Sequence, residues 1–169
     1  MSEHFLKRID TALLYRPFLE RIEDVLAACH KRGAHYYATS GYRSWVEQQR
    51  RHDAYLGGTG TRAAPAGYSA HQFGGAIDFC ADADLDKPGL QASWKLPAYS
   101  VLVEEVTRAG LVSGSSFNDT PHVQIPRFVS GASMRALRKI VQPILRVGAT
   151  EAQALRAVWA YFDSLPLFP

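Results

Sequence analysis

Residues Ser69 to Asp78 read SAHQFGGAID, and this stretch decides how the rest of the chain is organised. It brings His71, two consecutive glycines and a carboxylate into one short segment, and it leads into the apolar run Ala76–Phe79, whose alternation predicts a buried strand. An unpaired buried carboxylate costs more free energy than a strand of this length supplies, so Asp78 needs a partner. A cation held jointly by His71 and Asp78 is the most economical partner, and such a cation requires a third ligand.

The predicted third ligand is His122, which follows the segment Asn118–Pro121. Pro121 holds Thr120 extended and has no N–H to donate to a sheet, so it marks the beginning of a strand that carries His122. Two imidazoles and one carboxylate suit zinc and leave the fourth tetrahedral position for water, as in catalytic rather than structural zinc sites. Asp119 would lie beside the metal without having to bind it.

Three segments of the chain, in this order, resemble a known family. The later two carry the patterns SxHxxGxAxD and acid-x-x-His, fitted by Ser69, His71, Gly74, Ala76, Asp78, Asp119 and His122. The first is Ser40–Ser44 followed by Gln48, which is similar to the family's arginine and glutamine segment. The family is that of the zinc peptidases that cleave peptidoglycan stem peptides, and it includes D-alanyl-D-alanine carboxypeptidases and dipeptidases and the phage L-alanyl-D-glutamate endolysins. The resemblance covers about Gly33 to Ile125.

The resemblance implies a role for each residue of the site. One Zn²⁺ per chain is expected, with the ligands His71, Asp78 and His122. Asp119 would act as the general base, taking the proton of the attacking water and delivering it to the leaving amine. Arg43 would bind the substrate or stabilise the developing oxyanion, and Gln48 would help to hold the peptide. Ser69 would either hydrogen-bond the substrate or orient a metal ligand.

The same resemblance implies an α+β fold, in which helices pack against a small, mainly antiparallel sheet with the zinc site at its edge. The local helix signals agree with it, since Pro17 begins one helix and Ser44 with Glu47 caps the next, but they do not define the topology. We expect a catalytic domain over residues 1–130 and a C-terminal helical extension over residues 131–169, packed on the same domain.

Two amphipathic helices are predicted in this extension. Ser133 would cap the first, which Pro143 would kink or end, and Thr150 with Gln153 would cap the second. The two helices either complete the core or use their basic face to hold the protein against anionic wall polymer or membrane. Their spacing leaves both interpretations open.

The composition is that of one soluble globular domain, with 169 residues of which 47% are hydrophobic and 21% charged. Cys29 and Cys80 are too few for a disulfide framework, and we expect free, buried thiols. No apolar run approaches the ~20 residues of a membrane span, and the N-terminus lacks the apolar core of a signal peptide. We therefore expect synthesis in the cytoplasm and action on the cell wall or periplasm after release.

Three hypotheses for the function follow, with the peptidoglycan stem peptide as the expected partner of a monomer that binds no nucleic acid and does not insert stably in a membrane. The first is an endolysin that hydrolyses the L-alanyl-D-glutamate bond, because a lysis enzyme can wait in the cytoplasm until a pore opens. The second is a D-alanyl-D-alanine carboxypeptidase, which must recognise a free terminal carboxylate. The third, a non-catalytic wall-binding domain, is disfavoured because Asp119 and Arg43 would have no role.

Overall fold

The structure is a computed structural model of the chain, and it describes residues 3–126 and 131–168. The α-helices of this part are α1 (Glu3–Leu6), α2 (Arg16–Lys31), α3 (Trp45–Leu56), α4 (Ser100–Arg108), α5 (Gly131–Arg146) and α6 (Glu151–Asp163). The strands are β1 (Tyr36–Ser40), β2 (Ala76–Asp82), β3 (Ala92–Ser93), β4 (Val112–Ser113) and β5 (His122–Gln124). Short 3-10 helices span Thr11–Leu13, Ala70–Phe73, Leu96–Tyr99 and Gly114–Phe117.

The strands form one sheet in the order β1-β2-β5-β4, with β3 paired to the far part of β2 and every pairing antiparallel. Its register aligns Asp78 in β2 with Ser40 at the end of β1 and with His122 at the start of β5. Residues directly opposite each other on antiparallel strands have their side chains on the same face. The three side chains therefore share one face at the margin of the sheet, and the predicted α+β fold with a candidate metal site near the sheet is confirmed.

Helix α2 is the main helix of the core and begins at Arg16–Pro17, as predicted. Pro17 lies in its first turn, where the missing N–H is harmless, and the chain turns away at Gly33, whose φ is 72°. One face of α2 is buried, through Phe18, Leu19, Ile22, Val25, Leu26 and Cys29. Helix α4 packs on α2, so helices cover the apolar face of a sheet that is too small to bury a core by itself.

The two C-terminal helices pack on each other and contribute to the same apolar core, with Leu137, Val158 and Phe162 fully buried. The capping box of Thr150 and Gln153 is present as predicted. The predicted cap at Ser133 is wrong, because α5 already begins at Gly131 and buries Met134 in its first turns. Pro143 does not end α5 either. The helix continues through this position to Arg146, and its residues beyond the proline still pack against the core.

Both cysteines, Cys29 and Cys80, are free and buried, as predicted. Burial raises the pKa of the Cys29 thiol to about 12. Both cysteines pack in the core as small apolar side chains. Within residues 3–126 and 131–168, no helix has the length and apolar character needed to cross a membrane.

Candidate metal centre

His71 lies in the 3-10 helix Ala70–Phe73 and is 2% exposed. The chain leaves this helix through Gly74, whose φ is 69° and where an added Cβ would lie 2.6 Å from the carbonyl oxygen of Leu13, so only glycine fits the turn into β2. Nδ1 of His71 lies 2.6 Å from the carbonyl oxygen of Gly41, which identifies it as the protonated nitrogen. Nε2 is then free to bind a metal, and it lies 3.2 Å from Oδ1 of Asp78.

His122 contacts the same carboxylate oxygen of Asp78 as His71 does. Its Nδ1 lies 2.9 Å from Oδ1 of Asp78, and its Nε2 lies 2.8 Å from Oε1 of Gln124. The amide oxygen of Gln124 can only accept, so it holds the proton on Nε2 and leaves Nδ1 as the metal-binding nitrogen. The ligand atoms of His71, Asp78 and His122 all lie within 4.8 Å of one another, the only such group of three among the described residues.

The protonation states of the three side chains depend on one another. Burial alone would raise the pKa of Asp78, but its contacts with the imidazoles of His71 and His122 hold it well below its usual range. Burial lowers the pKa of His71 against the pull of Asp78, so this imidazole is neutral at pH 7. Burial also disfavours charge on His122, but its bond to Asp78 outweighs burial and raises the pKa. A divalent cation would replace the proton that His122 and Asp78 share in their hydrogen bond, because metal ligands bind in their deprotonated forms.

Arg43 is 7% exposed and supports Asp78 from behind the candidate metal site. Its Nη2 donates to Oδ2 of Asp78 at 3.2 Å and to Oγ of Ser40 at 2.9 Å, and its Nη1 donates to Oε1 of Gln48 at 2.9 Å. Burial lowers the pKa of Arg43, which nonetheless stays charged because an arginine does not lose its proton in proteins. Within the described chain its Nε has no hydrogen-bond partner.

Gln48 is buried on the first turns of α3 and also donates to the carbonyl oxygen of Ala64 at 2.6 Å. The structure therefore places Arg43 on the carboxylate of Asp78 and Gln48 on Arg43, and the roles of both residues toward a substrate remain predictions. Ser69 is half-buried at the start of the 3-10 helix that carries His71, and its hydroxyl makes no capping bond there. Its role remains a prediction.

Asp119 lies just before β5, and its backbone fixes the position of His122. Its carbonyl oxygen accepts from the His122 N–H at 2.9 Å, and its own N–H donates to the carbonyl oxygen of Gly114 at 2.9 Å. An added Cβ on Gly114 would lie 2.0 Å from the Asp119 oxygen, so the close approach requires glycine. Asp119 is exposed, yet partial desolvation of its carboxyl group and the charge of Asp78 raise its pKa, against the pull of His122.

Sequence reasoning missed the groups that orient the ligands. The carbonyl oxygen of Gly41 lies in the segment Ser40–Ser44, but a backbone acceptor leaves no residue signal. Gln124 could have been found, because it follows His122 at the two-residue spacing that places both side chains on one face of a strand. Trp159 and Glu151 of α6, which contact this region, carried no functional signal in the sequence.

Two buried imidazoles and a carboxylate, beside a second carboxylate outside the ligand set, define the site of a metal-dependent hydrolase. The family model VanY, described as D-alanyl-D-alanine carboxypeptidase, matches residues 12–120, more than half of the chain. The chain belongs to this family, which confirms the predicted family and the predicted class of enzyme, a peptidoglycan metallopeptidase. The match ends before His122, whose place in the site therefore rests on geometry.

Several solved structures are similar to this chain. The L-Ala D-Glu endopeptidase ChiX of Serratia marcescens is 21% identical, with 73% of this chain and 84% of that chain covered and a TM-score of 0.50. VanYB in complex with D-alanine-D-alanine is 21% identical, with 83% and 81% covered and a TM-score of 0.51. A variant of the vancomycin-resistance D,D-pentapeptidase VanY in complex with Zn(II) is 20% identical, with 82% of each chain covered and a TM-score of 0.49. No curated protein sequence matches the chain. At these identities the first two structures establish a shared fold alone.

Proposed function

We propose that this protein is a zinc-dependent endopeptidase that hydrolyses the L-alanyl-D-glutamate bond of peptidoglycan stem peptides. The observation that carries the zinc-dependent chemistry is the set of ligand atoms from His71, Asp78 and His122 within 4.8 Å of one another, and the choice of bond is argued from Arg43 below. Because all three come from one chain, we expect a monomer to be active. The substrate is a wall polymer, so the enzyme would act at the cell wall or in the periplasm after release from the producing cell.

Zinc fits the donor set. Borderline-soft imidazole nitrogens and one carboxylate oxygen suit Zn²⁺ better than Mg²⁺ or Ca²⁺, which prefer oxygen ligands. Gly41 and Gln124 orient the two imidazoles, and Arg43 orients the carboxylate, which is the outer support that metal ligands usually have. When bound, zinc supplies a Lewis acid that polarises the scissile carbonyl and makes water nucleophilic near pH 7.

The chain's own residues would handle the proton and the developing charge. Asp119 is the carboxylate beside the site that is not a ligand, and we assign to it the acceptance of the proton from water and its delivery to the leaving amine. Arg43 holds Asp78 in place, and we assign to its positive charge the stabilisation of the peptide oxygen as that oxygen becomes negative. Gln48 and Ser69 would help to position the peptide.

The occupied hydrogen bonds of Arg43 support cleavage within a peptide rather than at its end. A terminal carboxylate is bound best by two parallel N–H donors of an arginine. Both terminal nitrogens of Arg43 already donate to Asp78, Ser40 and Gln48, and its Nε alone has no partner among the described residues. An internal L-alanyl-D-glutamate bond, the substrate named for ChiX, makes no such demand at the site of cleavage.

A D-alanyl-D-alanine carboxypeptidase is the second candidate, favoured by the description of the matching family and by the ligand of VanYB. Mass spectrometry of purified peptidoglycan, digested with zinc-loaded protein beside a chelated sample, decides between the two. New N-terminal D-glutamate, with L-alanine left on muramic acid, supports the endopeptidase. Release of single D-alanine overturns it in favour of the carboxypeptidase. No cleavage with zinc bound leaves the non-catalytic wall-binding domain.

A further inference from the structure

Helix α6 contacts the segment that carries Arg43, although it lies beyond the residues matched by the family. Its first residue, Glu151, accepts a hydrogen bond from the hydroxyl of Tyr42 and another from the backbone N–H of Trp45 at 3.2 Å. These two donors flank Arg43 on either side and are more than 100 residues away from Glu151 in sequence. One carboxylate therefore fixes both ends of the short segment in which Arg43 lies.

That segment orients two of the three candidate ligands. The carbonyl oxygen of Gly41 accepts from Nδ1 of His71 at 2.6 Å, and the backbone N–H of Arg43 donates to the carbonyl oxygen of His71 at 3.3 Å. The side chain of Arg43 donates to Asp78. A shift of the segment would therefore rotate the imidazole of His71 and release the carboxylate of Asp78 together.

The same helix contacts the second segment of the site near its other end. The indole Nε1 of Trp159 donates to the carbonyl oxygen of Phe73 at 3.0 Å, in the 3-10 helix that carries His71. The indole also lies against Gly74, where an added Cβ would approach it to 3.1 Å. Gly74 is the turn between His71 and the strand that carries Asp78, so Trp159 holds the connection between two candidate ligands.

We propose that α6 is a positioning element of the metal centre and that Glu151 and Trp159 are its positioning residues. Packing of α6 on the core needs only its apolar face, which Val158 and Phe162 supply at 0% exposure. Glu151 adds nothing to that apolar contact, and both of its described bonds go to the segment behind the ligands. Burial and the bond to Glu151 raise the pKa of Tyr42, so its hydroxyl remains a donor at every physiological pH. The C-terminal helices would thus complete the catalytic site.

The test measures zinc affinity, by competition with a chromophoric chelator, beside kcat and KM for Glu151→Gln, Glu151→Ala and Trp159→Phe. Loss of an outer support typically weakens metal binding by about 10- to 100-fold, and we expect this for Glu151→Ala. Glu151→Gln keeps one acceptor, so its zinc affinity should lie between that of Glu151→Ala and that of the wild type. Trp159→Phe keeps the ring contact but loses the N–H, so its zinc affinity should decrease less than that of Glu151→Ala. All three variants should lower kcat more than they raise KM.

Val106→Ala is the matched control, because Val106 is fully buried in α4, a helix that carries none of the candidate ligands, and its truncation destabilises the core. It should lower Tm while zinc affinity stays within twofold of the wild type. Zinc affinities within twofold of the wild type for all three α6 variants, with only Tm reduced, would overturn the proposal. If Glu151→Ala does not fold, the two milder variants decide.

The role of α6 in turnover rests on the proposed function, but the zinc measurement does not. Weakened zinc binding in the α6 variants of a protein that cleaves no peptidoglycan would support the positioning role and reject the proposed function. Unchanged zinc binding in the α6 variants of an active peptidase would reject the positioning role and leave the proposed function standing.

Discussion

The assignment of Asp119 as the general base makes the sharpest prediction, because this residue lies next to the metal centre but is not one of the metal ligands. Asp119 is exposed and is not one of the three residues that converge on the candidate site. Its structural contribution to His122 is made by its backbone, through the carbonyl oxygen that accepts from the His122 N–H. Asp119→Asn and Asp119→Ala should therefore leave the fold and the bound zinc unchanged.

Turnover should fall steeply in both variants. A positioned general base contributes about 10²- to 10⁴-fold to the rate, so the barrier should rise by about 3–5 kcal/mol. The loss should appear in kcat, because the proton leaves water only as the transition state forms. The assay is cleavage of a defined stem peptide under saturating zinc, with metal content by mass spectrometry and Tm by circular dichroism.

Asp86→Asn is the matched control, since it removes one exposed carboxylate from a loop outside the site. It should retain wild-type kcat, zinc content and Tm. An Asp119→Ala enzyme that keeps zinc and turns over within threefold of the wild type would remove Asp119 as the base. Loss of zinc from Asp119→Asn would instead make Asp119 part of the metal-holding set, contrary to the geometry.

Three further predictions concern the metal, the fold and its pH dependence. His71→Ala and His122→Ala should each lose stoichiometric zinc and activity together, as measured by metal analysis after dialysis, and retention of either property without the other would contradict the ligand assignment. Gly74→Ala should lower the free energy of unfolding by about 2–4 kcal/mol in urea titrations, because a Cβ would occupy a left-handed turn 2.6 Å from a carbonyl oxygen; an unchanged midpoint would refute that contact. Hydrogen bonds from Arg32 and Arg108 lower the pKa of Glu105, so this carboxylate stabilises the fold above its unfolded pKa of about 4.3, and the contribution is lost as pH falls through the lower folded value. Glu105→Gln should therefore flatten the fall in Tm with acid, and an unchanged pH profile would show that the cluster contributes nothing.

The elements that sequence reasoning placed correctly follow short-range rules. The beginning of α2 at Arg16–Pro17, the Ser44 cap of α3 and the capping box of Thr150 with Gln153 depend on residues within one helical turn. The wrong cap at Ser133 also came from a short-range rule, because serine is a common capping residue. The position at which α5 begins depends instead on tertiary packing, which residues within one helical turn do not specify.

The sequence by itself determined the kind of site, which has two histidines and one aspartate in a recognisable pattern and an arginine and a second acid nearby. Residue types alone define which metal can bind and which proton transfers are chemically accessible. Only the tertiary structure decided how those residues meet. Asp78 reaches both Ser40 and His122 through the register of β2, and a slip of one residue would turn its carboxylate to the opposite face. The contact of Glu151 with Tyr42 depends on the docking of α6, which joins residues more than 100 positions apart through packing that no local pattern specifies.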